Sequence, residues 1–187
     1  MKMTNSVQTK VITGKGRLSY AYVWEPRVQD GQDAKYSTSF LVPKTDKDTL
    51  KRLYDAIEAA KEMGKSKKWG GKVPANLKLP LRDGDEEADE RGDAYRGHYF
   101  FNASSKDAPG IVDAQRNPIL DKAEVYSGCY TRVSVNLFPY DTNGNRGIGV
   151  GLNHIQKLAD GEPLGGVRGQ AENEFDDWNE EGDDLGL

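Results

Sequence analysis

Apolar side chains in this chain recur at every second position in several separate runs, and one stretch follows a helical period instead. Leu18, Tyr20, Tyr22 and Trp24 alternate with Arg17, Ser19, Ala21 and Val23 inside a run from Lys10 to Trp24. Val133, Val135 and Leu137 alternate with Tyr130, Arg132, Ser134, Asn136 and Phe138, and Ile148, Val150 and Leu152 form a third such set. A two-residue period is that of a strand with one face buried. Further strands are expected at Tyr36–Val42, which Pro43 stops, and at the short aromatic run His98–Ala103. The Asn143-Gly144 pair between the last two long strands is a tight hairpin signal. Residues 109–120 read as a hairpin-like connection around Arg116-Asn117-Pro118.

The departure lies after the second strand. Leu50, Leu53, Ile57 and Ala60 follow helical spacing, Thr45 with Asp48 resembles a capping box, and Gly64 suits a C-terminal cap. One helix over about residues 46–63 is therefore expected. Gly14 and Gly16 point to a bend such as barrel strands need. The sum is a mainly β chain with one helix: an oligonucleotide-binding (OB) type Greek-key barrel with inserted loops, the alternative being an open α+β sheet. The domain is expected over 1–170, with a disordered acidic tail over 171–187.

Charge sharpens this division. The chain has 187 residues and a formal net charge of −4, yet residues 171–187 hold eight carboxylates and no Lys or Arg. The rest is therefore basic, at +4. A second acidic cluster, Asp83–Asp93, holds seven acids and one base, Arg91, and reads as a loop. Outside both clusters the excess of bases is ten. A basic body with an acidic tail fits a polyanionic partner better than the bulk charge implies.

Several function classes find no support. No apolar run approaches the roughly 18 residues that span a bilayer, and MKMTNSVQTK has no signal-peptide core. One cysteine, Cys129, and two histidines, His98 and His154, give neither a disulfide framework nor a zinc cluster. No nucleophile has an arguable base. DGDEEADE lacks the glycine and spacing of a calcium loop, and Gly147-x-Gly149-x-Gly151 opens no helix and so is no dinucleotide fingerprint. No enzyme activity, cofactor or metal is expected.

Unpaired nucleic acid is held by cations on phosphates and by aromatic rings on bases. Candidates for stacking are Tyr20 and Tyr22 on one strand, Trp69 within GKSKKWGGK, and Tyr130. Candidates for phosphate are Arg17, Lys65, Lys67, Lys68, Lys72 and Arg132. The tail ENEFDDWNEEGDDLGL sets Phe175 and Trp178 among Asp176, Asp177, Asp183 and Asp184. Such a segment cannot bury enough apolar surface to fold alone. Its carboxylates and rings imitate phosphates and bases, so it is expected to compete for the same groove and to dock on partners.

The stretches YSTSFLVPKTD, WGGKVP, LPLRDGD, YFFNASS, YSGCYTRVSVNLFPYD and GIGVGLNHIQKLADGEPLGG resemble those of bacteriophage single-stranded-DNA-binding proteins over residues 9–166. The resemblance implies an OB fold and sequence-independent binding of single-stranded DNA. It also implies a role in phage replication or recombination in the cytoplasm of an infected bacterium, and a regulatory acidic C-terminus. Phage or host replication proteins are the partners it implies for the tail, with homo-oligomeric or cooperative assembly on DNA and no membrane. The tail ends in Leu187, where many such tails end in phenylalanine, which weakens the case for docking through the last residue. The alternatives are an adaptor that recruits partners through its tail, and a metal-dependent nuclease built on the acids of 83–93.

Overall fold

The computed structural model describes residues 9–29, 31–164, 175, 177 and 178. Its strands are β1 (Lys10–Ile12), β2 (Gly16–Arg27), β3 (Lys35–Pro43), β4 (Arg82–Asp83), β5 (His98–Ser105), β6 (Gly110–Val112), β7 (Tyr130–Thr142) and β8 (Asn145–Ala159). Two α-helices accompany them, α1 (Lys47–Lys67) and α2 (Gly84–Arg91). Five strands close on themselves in the order β2-β3-β5-β8-β7 and back to β2. All these pairings are antiparallel except β5 with β8. That is the five-stranded Greek-key barrel of the OB fold.

The expected strand from Lys10 to Trp24 is two strands. β1 and β2 lie in succession along β7, with Lys10 opposite Asn136 and Arg17 opposite Tyr130. The glycines between and beside them are dictated by close approach. A Cβ on Gly16 would collide with the Leu41 carbonyl oxygen, and one on Gly14 would lie 2.5 Å from Asp46 Oδ2.

α1 starts at Asp46, whose Oδ1 accepts from the Thr49 amide at 3.1 Å. The cap is thus Asp46 rather than Thr45. The helix also runs past Gly64 to Lys67, because Gly64 is a packing position: a Cβ there would meet Pro139 and the Trp69 ring at 2.7 Å. Its buried face (Leu50, Leu53, Ala56, Ile57, Ala60) joins Val133, Val135 and Leu137 of β7 in the main core. The β7–β8 hairpin turns where expected, with Asn143 and Gly144 both at positive φ, as a type I′ turn requires.

The acidic stretch is a helix, not a loop. Asp83 caps α2 by accepting from the Asp85 amide at 2.9 Å. Alone, eight such residues would not hold a helix. Ala88 docks on Leu41, Tyr95 and Phe100, a second small core on the outside of β3 and β5. Ion pairs clamp the docking: Lys44 to Asp83 and Asp85 at 2.7 Å, and Glu87 to Arg82 at 2.7 Å; within the helix Glu87 also pairs with Arg91 at 2.8 Å.

The Lys44 hydrogen bonds hold the Asp83 and Asp85 carboxyls below their usual range. Burial pushes Glu87 up, but the bonds from Arg91 and Arg82 outweigh it, so Glu87 is also depressed. Folding lowers the proton affinity of all three carboxyls. Their stabilisation is therefore complete at neutral pH and is lost as pH falls through the carboxylate range towards the depressed values. On acidification α2 should undock before the barrel opens. Near-ultraviolet dichroism from Tyr95 should be lost at higher pH than the far-ultraviolet strand signal; coincident loss would show that the clamps do not hold α2.

Candidate nucleic-acid interface

The outer face of β2, β3 and β5 carries the groove, and a bulge in β2 sets its chemistry. Ser19 pairs with Ser39 and Tyr22 with Ser37, so β2 has one residue too many between these pairs. The extra residue reverses the alternation: Leu18 and Val23 point inward, while Tyr20 and Tyr22 are both exposed, at 47% and 36%. Tyr20 takes φ +48°, a left-handed backbone that a bulky side chain avoids. Bonds on either side hold it there. The Tyr95 hydroxyl donates to Ser19 Oγ at 2.9 Å, and the Ala21 amide donates to Ser127 Oγ at 2.9 Å. Strain kept in place by neighbouring contacts of this kind is common at functional sites.

The two tyrosines stand as a ridge between two clefts of about 560 and 480 Å³. The first lies between the ridge and the segment Arg91–Tyr95, with Ser127 and Leu164 also lining it. The second has an uncharged polar floor of Ser37, Ser39 and Asn102, with Arg27 and Gln29 beside it. Ser39 Oγ donates to Asn102 Oδ1. Arg91 lines both clefts. Burial opposes its charge, but the Glu87 ion pair outweighs that and keeps it a cation. The Arg27 guanidinium sits 4.9 Å from the Tyr22 ring centre. Flat rings, two guanidiniums and hydroxyl or amide groups can hold bases and phosphates together.

The remaining sequence candidates divide. Tyr130 is half-buried, with Lys15 and Arg17 over its ring at 5.1 and 5.4 Å. Arg17 is not a free phosphate clamp: its Nε donates to the Gly128 carbonyl at 2.8 Å and its Nη2 to the Glu162 carbonyl at 2.5 Å. It fastens the segment that leads to Leu164. Arg132 lies exposed on β7, its Nε bonded to Gln156 at 2.5 Å, and lines neither cleft.

Trp69 departs furthest from expectation. It is only 6% exposed, packs on Gly64, and donates through Nε1 to the Tyr140 carbonyl at 3.1 Å. Its ring is core and offers no face to a base. Lys65, Lys67, Lys68 and Lys72 around it are exposed but line neither cleft. Phe175, Asp177 and Trp178 are exposed, whereas Asp176, Asp183 and Asp184 lie outside the described residues.

Sequence reasoning missed Arg91, Arg27 and Asn102. One signal for Arg91 was available: it is the single base in the acidic run.

Comparison with known proteins agrees with the fold. A family model described as "Enterobacter phage Enc34, ssDNA-binding protein" matches residues 9–185. "Putative protein p50" of Acyrthosiphon pisum secondary endosymbiont phage 1 is 31% identical over 179 residues, 90% of this chain and 93% of that protein. The single-stranded DNA-binding protein from bacteriophage Enc34, solved in complex with ssDNA, superposes with a TM-score of 0.73 at 24% identity, covering 88% of this chain and 96% of that one. The single-stranded DNA-binding protein gp2.5 of bacteriophage T7 gives 0.61 at 16% identity, covering 90% and 96%.

Proposed function

The chain belongs to the Enc34 phage ssDNA-binding protein family, and from that premise we propose that it coats single-stranded DNA without regard to sequence, in phage replication or recombination, and catalyses no reaction. The observation that carries this reading is the Tyr20–Tyr22 ridge, two half-exposed rings between two clefts and flanked by Arg27 and Arg91. Every base has a face to stack, so such a ridge binds strands irrespective of sequence. Ser37, Ser39 and Asn102 accept varied base edges without charge. No described helix is long and apolar enough to cross a membrane.

The acidic C-terminus is the regulator in this reading. Leu164 packs on the Leu41–Phe100 core beneath the first cleft, and its amide donates to the Ser127 carbonyl at 2.9 Å. Leu164, the residue from which the chain runs on towards the acidic segment, therefore lies at the groove itself. The eight carboxylates of 171–187, with Phe175 and Trp178, are tethered beside the site that they imitate. Tethering gives a competitor a high effective concentration without any tight contact of its own. When DNA displaces it, the same segment becomes available to replication proteins.

Titration of labelled oligo-dT with the full chain and with a form ending at Gln170 tests both parts. The full chain should bind, with affinity falling steeply as salt rises. The shortened form should bind on the order of tenfold tighter at low salt, the scale of a modest coupling between sites. Unchanged or weaker binding on truncation removes the competition model. No binding by either form returns the adaptor reading.

A further inference from the structure

Building on the groove reading, we infer that bound single-stranded DNA does not end at the tyrosine ridge but continues around the barrel to a second stacking position at Phe138. The strand register lays out the path. Tyr22 pairs with Ser37, Ser37 with Ser104, Ser104 with Gly151, Gly151 with Asn136, and Asn136 with Lys10. Directly paired residues share a face of the sheet, and none of these six is buried. They form one row across the outside of β2, β3, β5, β8, β7 and β1. At about 4.8 Å per strand, the arc from Tyr22 to β7 is roughly 19 Å. Its side chains are small or uncharged, with no carboxylate among them, and it ends on the ammonium of Lys10.

Two features mark its far end as built for a ring. Phe138 is 44% exposed, although it stands in the middle of a long strand. Its ring lies over Gly149, where a Cβ would come within 2.6 Å of it, so the aromatic face rests on bare backbone. Gly151, the next outward position, is different. A Cβ there would meet nothing nearer than 3.7 Å, and its backbone is ordinary strand, so folding does not require a glycine. Glycine inside a strand weakens it and marks places where a ligand or another backbone comes close.

Asn136, the strand partner of Gly151, opens onto a cleft of about 380 Å³ lined also by Lys10, Asn153 and His154. Asp107 is its one carboxylate. A base stacked on the exposed ring of Phe138 would extend over the neighbouring Gly151 backbone towards the amides of Asn136 and Asn153, with Lys10 near its phosphate. This is the mixture of ring, amide and cation already present at the ridge, and the row joins the two without a break.

The test compares two lengths of labelled oligo-dT, about 4 and about 16 nucleotides, which bracket the sites that OB folds cover. The full-length chain is used with Phe138→Ala, Gly151→Val and Tyr22→Ala, each checked for an unchanged melting temperature. Phe138→Ala removes the ring, and Gly151→Val blocks the path while keeping it. Both should bind the short strand as the parent does and the long strand about tenfold more weakly, about 1.4 kcal/mol, within the range for one stacked base. Tyr22→Ala should weaken both lengths. Full affinity of Phe138→Ala and Gly151→Val for the long strand, while Tyr22→Ala weakens both, overturns the path and leaves the groove reading standing. Equal losses at both lengths also overturn it, as does a change in sedimentation of DNA-free Phe138→Ala, which would assign the ring to self-association. An unaffected Tyr22→Ala would instead defeat the groove reading itself.

Discussion

Replacing Tyr20 and Tyr22 together with alanine should lower the affinity for oligo-dT by at least about thirtyfold. Each base stacked on a ring contributes on the order of 1–3 kcal/mol, so two rings supply about 2–6 kcal/mol. The loss falls on binding and not on folding, because both rings stand outside the core at 47% and 36% exposure. Tyr20 also sits at positive φ, where alanine is no worse placed than tyrosine. No charge is removed, so the slope of log affinity against log salt should stay as it was while the whole line drops. Oligo-dA and oligo-dC should lose comparable factors, since stacking does not read sequence. Phenylalanine at both positions should restore most of the affinity, which separates the ring from the hydroxyl. A loss below about threefold, with the barrel intact by circular dichroism, would mean that the ridge does not carry binding.

How much of this was legible beforehand depends on how local each signal was. The β7–β8 hairpin is written in neighbouring residues: two alternating runs and an Asn-Gly turn whose left-handed backbone suits those two side chains. The α1 pattern is equally local, and only its ends moved, because Gly64 answers to Pro139 and Trp69. The tyrosine ridge was visible as residue types, but its exposure comes from a bulge that no composition marks; strict alternation would have put Tyr20 on the side of Leu18, in the core. α2 was invisible for the opposite reason. Its one large-scale attachment is Ala88 against Leu41 and Phe100, which stand on the outer face of strands distant in sequence. A run of acids with one alanine carries no helical signal of its own. Arg91 gains its place in both clefts only once that helix is docked. The basic segment around Trp69 misled because lysines flanking an aromatic ring look alike whether the ring faces water or the core.

Trp69→Ala should therefore unsettle the fold and leave DNA binding by the folded protein nearly untouched. Truncating a buried aromatic of this size costs about 3–5 kcal/mol, through lost burial and the cavity left behind. Here the ring packs on Gly64 of α1, which itself abuts Pro139 of β7, and its Nε1 bond to the Tyr140 carbonyl fixes the loop after the helix to the hairpin. Removing it detaches the C-terminal end of α1 from the barrel it plugs. Against a total of about 5–15 kcal/mol for a domain, that is a large share. Urea unfolding followed by circular dichroism should show the midpoint falling sharply, while Trp69→Phe, which keeps ring packing and loses the hydrogen bond, should fall between. Under conditions where Trp69→Ala is still folded, its affinity for oligo-dT should lie within about twofold of the parent, because neither cleft includes the residue. The reverse pattern, with stability kept and affinity lost, would place the ring in the DNA path and require α1 and the hairpin to part when the strand binds.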